Sequence, residues 1–242
     1  MTDPEILSRA QSWLDDPYYD EKTKAEIREL LKNPEELIDA FYTELSFGTG
    51  GLRGIMGAGS NRINIYTIRK ATQGLANYIR KHGNPSQGVA IGFDSRHHSH
   101  EFARETAKVF AANGIKAFLM KELRPTPYVS FATRHLKAQA GVMITASHNP
   151  KEYNGYKVFW QDGGQVVPPH DTGIISEVDA ITSPAQIKLA KIDDPLIISV
   201  NSTLDEDYLR ALSALQHFPR ENHSALKICY TSLHGTGITL MP

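Results

Sequence analysis

Residues 139–150 read QAGVMITASHNP, and the reading of this stretch decides the fold. An apolar run, Val142, Met143 and Ile144, passes directly into hydroxyl, imidazole and amide side chains and stops at Pro150. A short apolar run bounded by turn residues suits a strand buried on both faces. Two further stretches have the same form, GVAIGFD at residues 88–94 and IKAFLM at residues 115–120. Between and around them lie helical patterns. Ile68, Ala71, Leu75 and Ile79 recur at helical spacing from Thr67 to Lys81, and SHEFARETAKVFAANG (99–114) and TPYVSFATRHL (126–136) read as helices too. Strands alternating with helices predict an α/β protein with a mixed, mostly parallel sheet sandwiched by helices.

Outward from this centre the pattern changes. In NGYKVFWQDGGQVVPP (154–169), two β-like runs flank Asp162-Gly163, which predicts a hairpin forming an antiparallel edge to the sheet. FGTGGLRGIMGAGSNRINIYTI (47–68) is rich in glycine, which weakens either regular structure, so a loop shaped for close backbone approach is expected. Residues 1–45 read as a helical extension. Asp3 caps a helix with Pro4 at its first position, Asn33-Pro34 repeats the signal, and DEKTKAEIRELLKN (20–33) lies between. A helix is expected from about His170 to Ile181. TSPAQIKLAKIDDPLIISVNSTLDE (182–206) carries the turn and charge signals of a boundary, placed near residue 200. Residues 46–200 then form the main domain. Residues 201–242, a helix (205–215) and a strand in LKICYTSLHGTG (226–237), form the incomplete start of a second α/β domain.

The chain has 242 residues, enough for one large or two modest cores at about 100 to 200 residues each. A hydrophobic content of 40% with 22% charged residues belongs to a globular chain and excludes general disorder. The formal net charge of -1 supplies no long-range field for a polyanion, so neither nucleic acid nor a membrane surface is expected as a partner. Cys229 is the single cysteine, which excludes an intrachain disulfide. The N-terminus is too acidic and polar for a secretory signal, and no apolar stretch approaches the roughly 20 residues that cross a bilayer. A cytoplasmic setting is the expectation.

Three polar clusters carry candidate chemistry. Ser147 follows an apolar run and so sits at the carboxyl end of a predicted parallel strand, where ligands of open α/β sheets bind. Its hydroxyl needs an activating environment, for which His148 and Lys157 are candidates; alternatively Thr145, Ser147, Asn149 and Pro150 are ordinary turn formers. Thr49, Gly50, Gly51, Leu52, Arg53 and Gly54 offer backbone N–H groups and one guanidinium to a phosphate, or else make a plain flexible turn. After the apolar run at 89–93, Asp94 is placed to anchor Arg96, and Arg96 to face an anion or to make a surface salt bridge. His97, His98 and His100 match no common zinc spacing. Lys157 is a proton shuttle if partly desolvated and a surface charge if not.

FGTGGLRG, GFDSRHHS and GVMITASHNPKEYNGYKV, in that order, resemble the α-D-phosphohexomutase superfamily of phosphoglucomutases and phosphomannomutases, over about residues 40 to 242. FGTGGLRGIMGAGSNRIN and ATQGLANYI look most like the branch that includes phosphopentomutases. The resemblance implies that Ser147 is a phosphoserine, exchanging a phosphoryl group with a sugar phosphate through a 1,6-bisphosphate intermediate, with hexose 1,6-bisphosphate as activator. It implies that Arg53 and Lys157 lie near the transferred group, with Lys157 a general acid/base. His148 orients the phosphoserine. It also implies that Thr49, Gly51, Asp94, Arg96 and Asn149 shape the phosphate-binding surface. Mg²⁺ is implied, bound through the phosphate on Ser147. The family's Asp-Gly-Asp-x-Asp-Arg metal loop, its sugar-reading Gly-Glu-x-Ser-Gly loop and its fourth-domain phosphate clamp are absent from these 242 residues. The expectation is therefore the N-terminal region of such a mutase, the alternative a non-catalytic sugar-phosphate-binding or interaction module.

Overall fold

A computed structural model describes residues 3–48, 50–200, 202–216 and 227–241. Three helices come first: α1 (Pro4–Asp15), α2 (Glu21–Leu30) and α3 (Pro34–Phe41). The Asp3 carboxylate accepts from the Glu5 amide, as its position before Pro4 predicts; Asn33 makes no such side-chain bond ahead of α3, and Asp20, not read as a cap, caps α2 through the Thr23 amide. Ile6, Ala10, Ile27, Leu37, Ala40 and Phe41 close a satellite core of their own with Ala58.

The main body alternates β1 (Gly51–Ile55), α4 (Ile65–His82), β2 (Val89–Phe93), α5 (Ser99–Ala112), β3 (Ala117–Met120), α6 (Thr126–His135), β4 (Ala140–Ile144), β5 (Tyr153–Trp160), α7 (His170–Asp179), β6 (Ile197–Val200) and α8 (Ser202–Ala214). The strands form one sheet in the order β1-β5-β4-β2-β3-β6. Every pairing is parallel except those of β5, which runs antiparallel to both β1 and β4. β2 and β4 are buried at every position, the pattern of strands covered on both faces. On one face, Leu75, Ile79, Phe102, Phe110, Ile174 and Val178 from α4, α5 and α7 pack against Ile91, Val142 and Val158. On the other, Tyr128, Val129 and Ala132 of α6 and Leu204 of α8 pack against Met143 and Phe159. Each fully buried Leu, Ile, Val, Phe or Met among them contributes about 1.5–3 kcal/mol by leaving water, so both faces of the sheet are anchored beneath its loops.

Several expectations need correction. The glycine-rich stretch is not a loop throughout: Gly51–Ile55 is an edge strand, because pairing with β5 outweighs the poor strand propensity of glycine. The antiparallel strand β5 is not the edge but lies between β4 and β1. The second arm of the hairpin after Asp162-Gly163 is reduced to one bridge, Phe159 with Gln165. β6, four residues parallel to β3, was hidden inside the segment read as turns and charges. The strand expected at 226–237 does not form among the described residues: Ile228 is 76% exposed, and no described strand lies beside it to supply a ladder.

α8 is fastened to the sheet layer. Arg124, itself buried, makes a two-pronged bond to Asp205 at 2.8 and 2.7 Å. Burial pushes the Asp205 carboxyl up, but hydrogen bonds from Arg124 and Tyr128 and the Arg124 charge outweigh it and hold the group below the usual carboxylate range. No helix among the described residues is long and apolar enough to cross a membrane.

Candidate functional site

β3 and β4 lie on opposite sides of β2, which makes the carboxyl ends of β2 and β4 the switch point of the sheet. Asp94 follows β2, and residues 145–152 follow β4. The two ends are stitched together where Asp94 N–H donates to the Ile144 carbonyl at 3.1 Å. Ser147 stands in the turn beyond, exposed, with φ +57°. That left-handed conformation is uncommon for a serine and is held from both sides. Its amide donates to Thr145 Oγ1 at 2.9 Å, and its carbonyl accepts from Arg96 Nη2 at 2.8 Å.

Arg96 fastens the rest of the turn as well. Nη2 also donates to the Asn149 carbonyl at 2.5 Å, and Nη1 to the carbonyls of Pro150 and Tyr153 at 2.8 and 3.1 Å. Asp94, 9% exposed, accepts from the Arg96 amide at 3.0 Å and faces its Nε at 3.5 Å. Arg96 thus spends its donors on backbone oxygens within the turn. Arg53 is the guanidinium left open. It is exposed on β1, with Nη1 3.3 Å from Asn149 Oδ1.

His148 Nδ1 lies 3.5 Å from Ser147 Oγ, at the limit of a hydrogen bond. Lys157 enters through register: it pairs with Gly51 on one side and Met143 on the other. Arg53 pairs with Gly155, two residues from Lys157, so both cations stand on one face of the sheet on adjacent strands. Lys157 is half-buried, with no carboxylate at ion-pairing distance among the described residues.

The close approach of β1 and β5 depends on Gly51. Its φ is +141°, and a Cβ there would sit 1.7 Å from the Tyr156 carbonyl oxygen. Gly50 is covered by Gln165, whose side chain donates to the Gly50 carbonyl at 3.3 Å. Thr49 lies outside the described residues. Gly51, Arg53, Asp94, Arg96, Ser147, His148 and Asn149 therefore converge on one end of the sheet, with Lys157 beside them.

Two residues that sequence reasoning passed over complete the cluster. Asn154 is fully buried; its Nδ2 donates to the His97 carbonyl at 3.0 Å and to Ser99 Oγ at 2.9 Å, and its Oδ1 accepts from the Gly155 amide. Ser99 Oγ donates to Asp94 Oδ1 at 2.7 Å. Asn154 opens a β-like run and Ser99 a helical pattern, and neither position stands out as polar chemistry in the sequence. A cavity of about 860 Å³ lies elsewhere, lined by Trp13, Tyr19, Tyr66, Lys70 and Ile175 among others, without any of the clustered residues. The convergence of charge around an exposed hydroxyl is the stronger indication of chemistry than the volume of that cavity.

An exposed hydroxyl at the end of the sheet, with the open guanidinium of Arg53 and the Lys157 ammonium on adjacent strands, suits transfer of an anionic group, which needs positioning and charge neutralisation. The domain model for phosphoglucomutase/phosphomannomutase, alpha/beta/alpha domain I, matches residues 44–185. A phosphopentomutase of Mus musculus is 38% identical over 229 residues, 89% of this chain and 37% of that protein. A phosphoglucomutase of Staphylococcus epidermidis RP62A is 41% identical over 212 residues, 86% of this chain and 38% of that one. A crystal structure of a Thermus thermophilus protein assigned as a phosphomannomutase matches with TM-score 0.59 at 30% identity, covering 71% of this chain and 36% of that chain. The chain spans little more than a third of the length of the curated relatives it matches.

Proposed function

The chain belongs to the phosphoglucomutase/phosphomannomutase family, with the family's domain I at residues 44–185, and from that premise we propose that Ser147 is the phosphoryl carrier of a sugar-phosphate mutase. One observation carries the reading: an exposed Ser147 hydroxyl at φ +57°, presented beyond the switch point of the sheet beside the open guanidinium of Arg53. In this reading the phosphorylated Ser147 gives its phosphoryl group to one hydroxyl of a sugar monophosphate. The bisphosphate turns over, and Ser147 Oγ then takes the other phosphoryl group while that sugar oxygen recovers a proton. Lys157 is the proposed proton donor and acceptor for the sugar oxygens, His148 orients the serine oxygen, and Arg53 neutralises charge on the transferred group. Gly51, Asn149 and Thr49 shape the surface the phosphate meets.

Hexose phosphates are the proposed substrates, with a hexose 1,6-bisphosphate as activator; the names of the relatives include both pentose and glucose mutases. Mg²⁺ belongs to the same proposal and would supply charge neutralisation when bound. The described residues do not make its site. They contain no group of three or more His, Cys, Asp or Glu placed to hold an ion, Asp94 is committed to Arg96 and Ser99, and a phosphate on Ser147 is one ligand where about six are wanted. We place the domain of the carrier at residues 46–200, its helical extension at 1–45 and the start of the next domain at 201–242, with α8 at that start packed back on the carrier's sheet through Leu204 and Asp205, and a cytoplasmic setting.

The test is Ser147→Ala in the longer enzyme that carries this domain. Mutase turnover is expected to fall by at least about 10³-fold with the fold intact, since a carrier has no substitute. Turnover within a few-fold of wild type overturns the reading.

A further inference from the structure

We propose that Ser99 and Asn154, neither of which reaches the exposed hydroxyl, are positioning residues that set the geometry of the Ser147 turn through Asp94 and Arg96. The inference rests on the reading of Ser147 as carrier.

The hydrogen bonds run in one direction only. Asp94 as a carboxylate accepts, so Ser99 Oγ spends its single proton on Asp94 Oδ1 at 2.7 Å. Ser99 must then accept from Asn154, whose Nδ2 lies 2.9 Å away and whose other Nδ2 bond goes to the His97 carbonyl at 3.0 Å. This fixes the carboxamide so that its Oδ1 faces the Gly155 amide at 2.8 Å. The other end of the chain is Arg96, steered by Asp94 at its amide and its Nε. Its two Nη atoms hold four carbonyls spanning Ser147 to Tyr153. A planar fork with its donors spent this way cannot turn without releasing several of them at once.

Asn154, Ser99 and Asp94 are buried, on β5, at the first turn of α5 and at the end of β2. Three elements of the domain thereby converge on a backbone segment that is itself exposed. Asn154 also links the Ser147 turn to the edge strand β1, because Gly155 pairs with Arg53 and the Gly155 carbonyl accepts from the Thr145 amide at 3.0 Å. A displacement of Ser147 Oγ by about 1 Å is enough to slow in-line transfer by about 10²-fold. Support for the turn is therefore support for the rate.

The experiment uses Ser99→Ala and Asn154→Asp, the second keeping the size and the bond from Gly155 while losing the Nδ2 donors. Hydrogen exchange is followed in this chain, and kcat and KM in the longer enzyme. The amides of residues 147–153 are expected to exchange at least about 5-fold faster while those of β2 and β4 keep their protection. kcat is expected to fall about 10-fold or more with KM within about 2-fold, the split of a misaligned nucleophile. Unchanged exchange in the turn, unchanged kcat, or faster exchange that appears only together with the strand amides overturns the inference. If the wild-type enzyme carries its phosphate on a residue other than Ser147, the carrier reading fails, while the exchange result still decides whether Ser99 and Asn154 hold the turn.

Discussion

The two walls of the site are built in opposite ways. At the ends of β2 and β4 the backbone itself is the fixed object: four carbonyls of the Ser147 turn hang on Arg96, and Arg96 on a buried carboxylate. At the edge of the sheet, β1 brings in Arg53 by strand register alone, with one long contact to Asn149. The first wall holds Ser147, the proposed nucleophile, in place. The second offers a charge that stays free to follow a phosphate, and it gains that freedom by leaving its guanidinium without a carboxylate partner among the described residues. A carrier that transfers in two directions needs both: a serine that does not move and a cation that does.

The contrast can be broken at the second wall in two ways. Gly51→Ala strikes the register of the second wall and has the largest expected effect on the fold. With φ at +141° and the new Cβ 1.7 Å from the Tyr156 oxygen, β1 must separate from β5, at a cost of roughly 3 kcal/mol or more in stability. A denaturant midpoint equal to that of wild type would show that the strand pairing is unnecessary. Arg53→Gln leaves the register intact and removes the charge. Turnover of the longer enzyme is expected to drop about 10²-fold, while stability stays within about 0.5 kcal/mol because the side chain is exposed. A large loss of stability with normal turnover would reverse the assignment of the two walls.

Much of this was legible in the sequence because the strands at the centre announce themselves. β2 and β4 are unbroken apolar runs ending in polar clusters, and those endings place Asp94 and Ser147 at the switch point. Gly51–Ile55 was hidden by its glycines, whose meaning is contact between two backbones and not the absence of a strand. β6 carries a short apolar run, Leu196 to Val200, but that run lies between Asp193-Asp194-Pro195 and Asn201, so turn and charge signals masked it, and its residues are only half-buried or exposed. The apolar residues at 226–237 promised a strand and none forms among the described ones, since an apolar run becomes a strand only where a neighbour supplies the ladder. Ser99 and Asn154 could not be found by pattern. Their role exists only once β5 and α5 are brought together.

The central claim concerns one oxygen atom. Incubating the longer enzyme with glucose 1,6-bisphosphate labelled in its phosphates and mapping the label by peptide mass tests it directly. The label is expected on the peptide containing Ser147, and it should leave again when unlabelled sugar monophosphate is added. Stable label on any other residue, with the Ser147 peptide unmodified, would contradict the account.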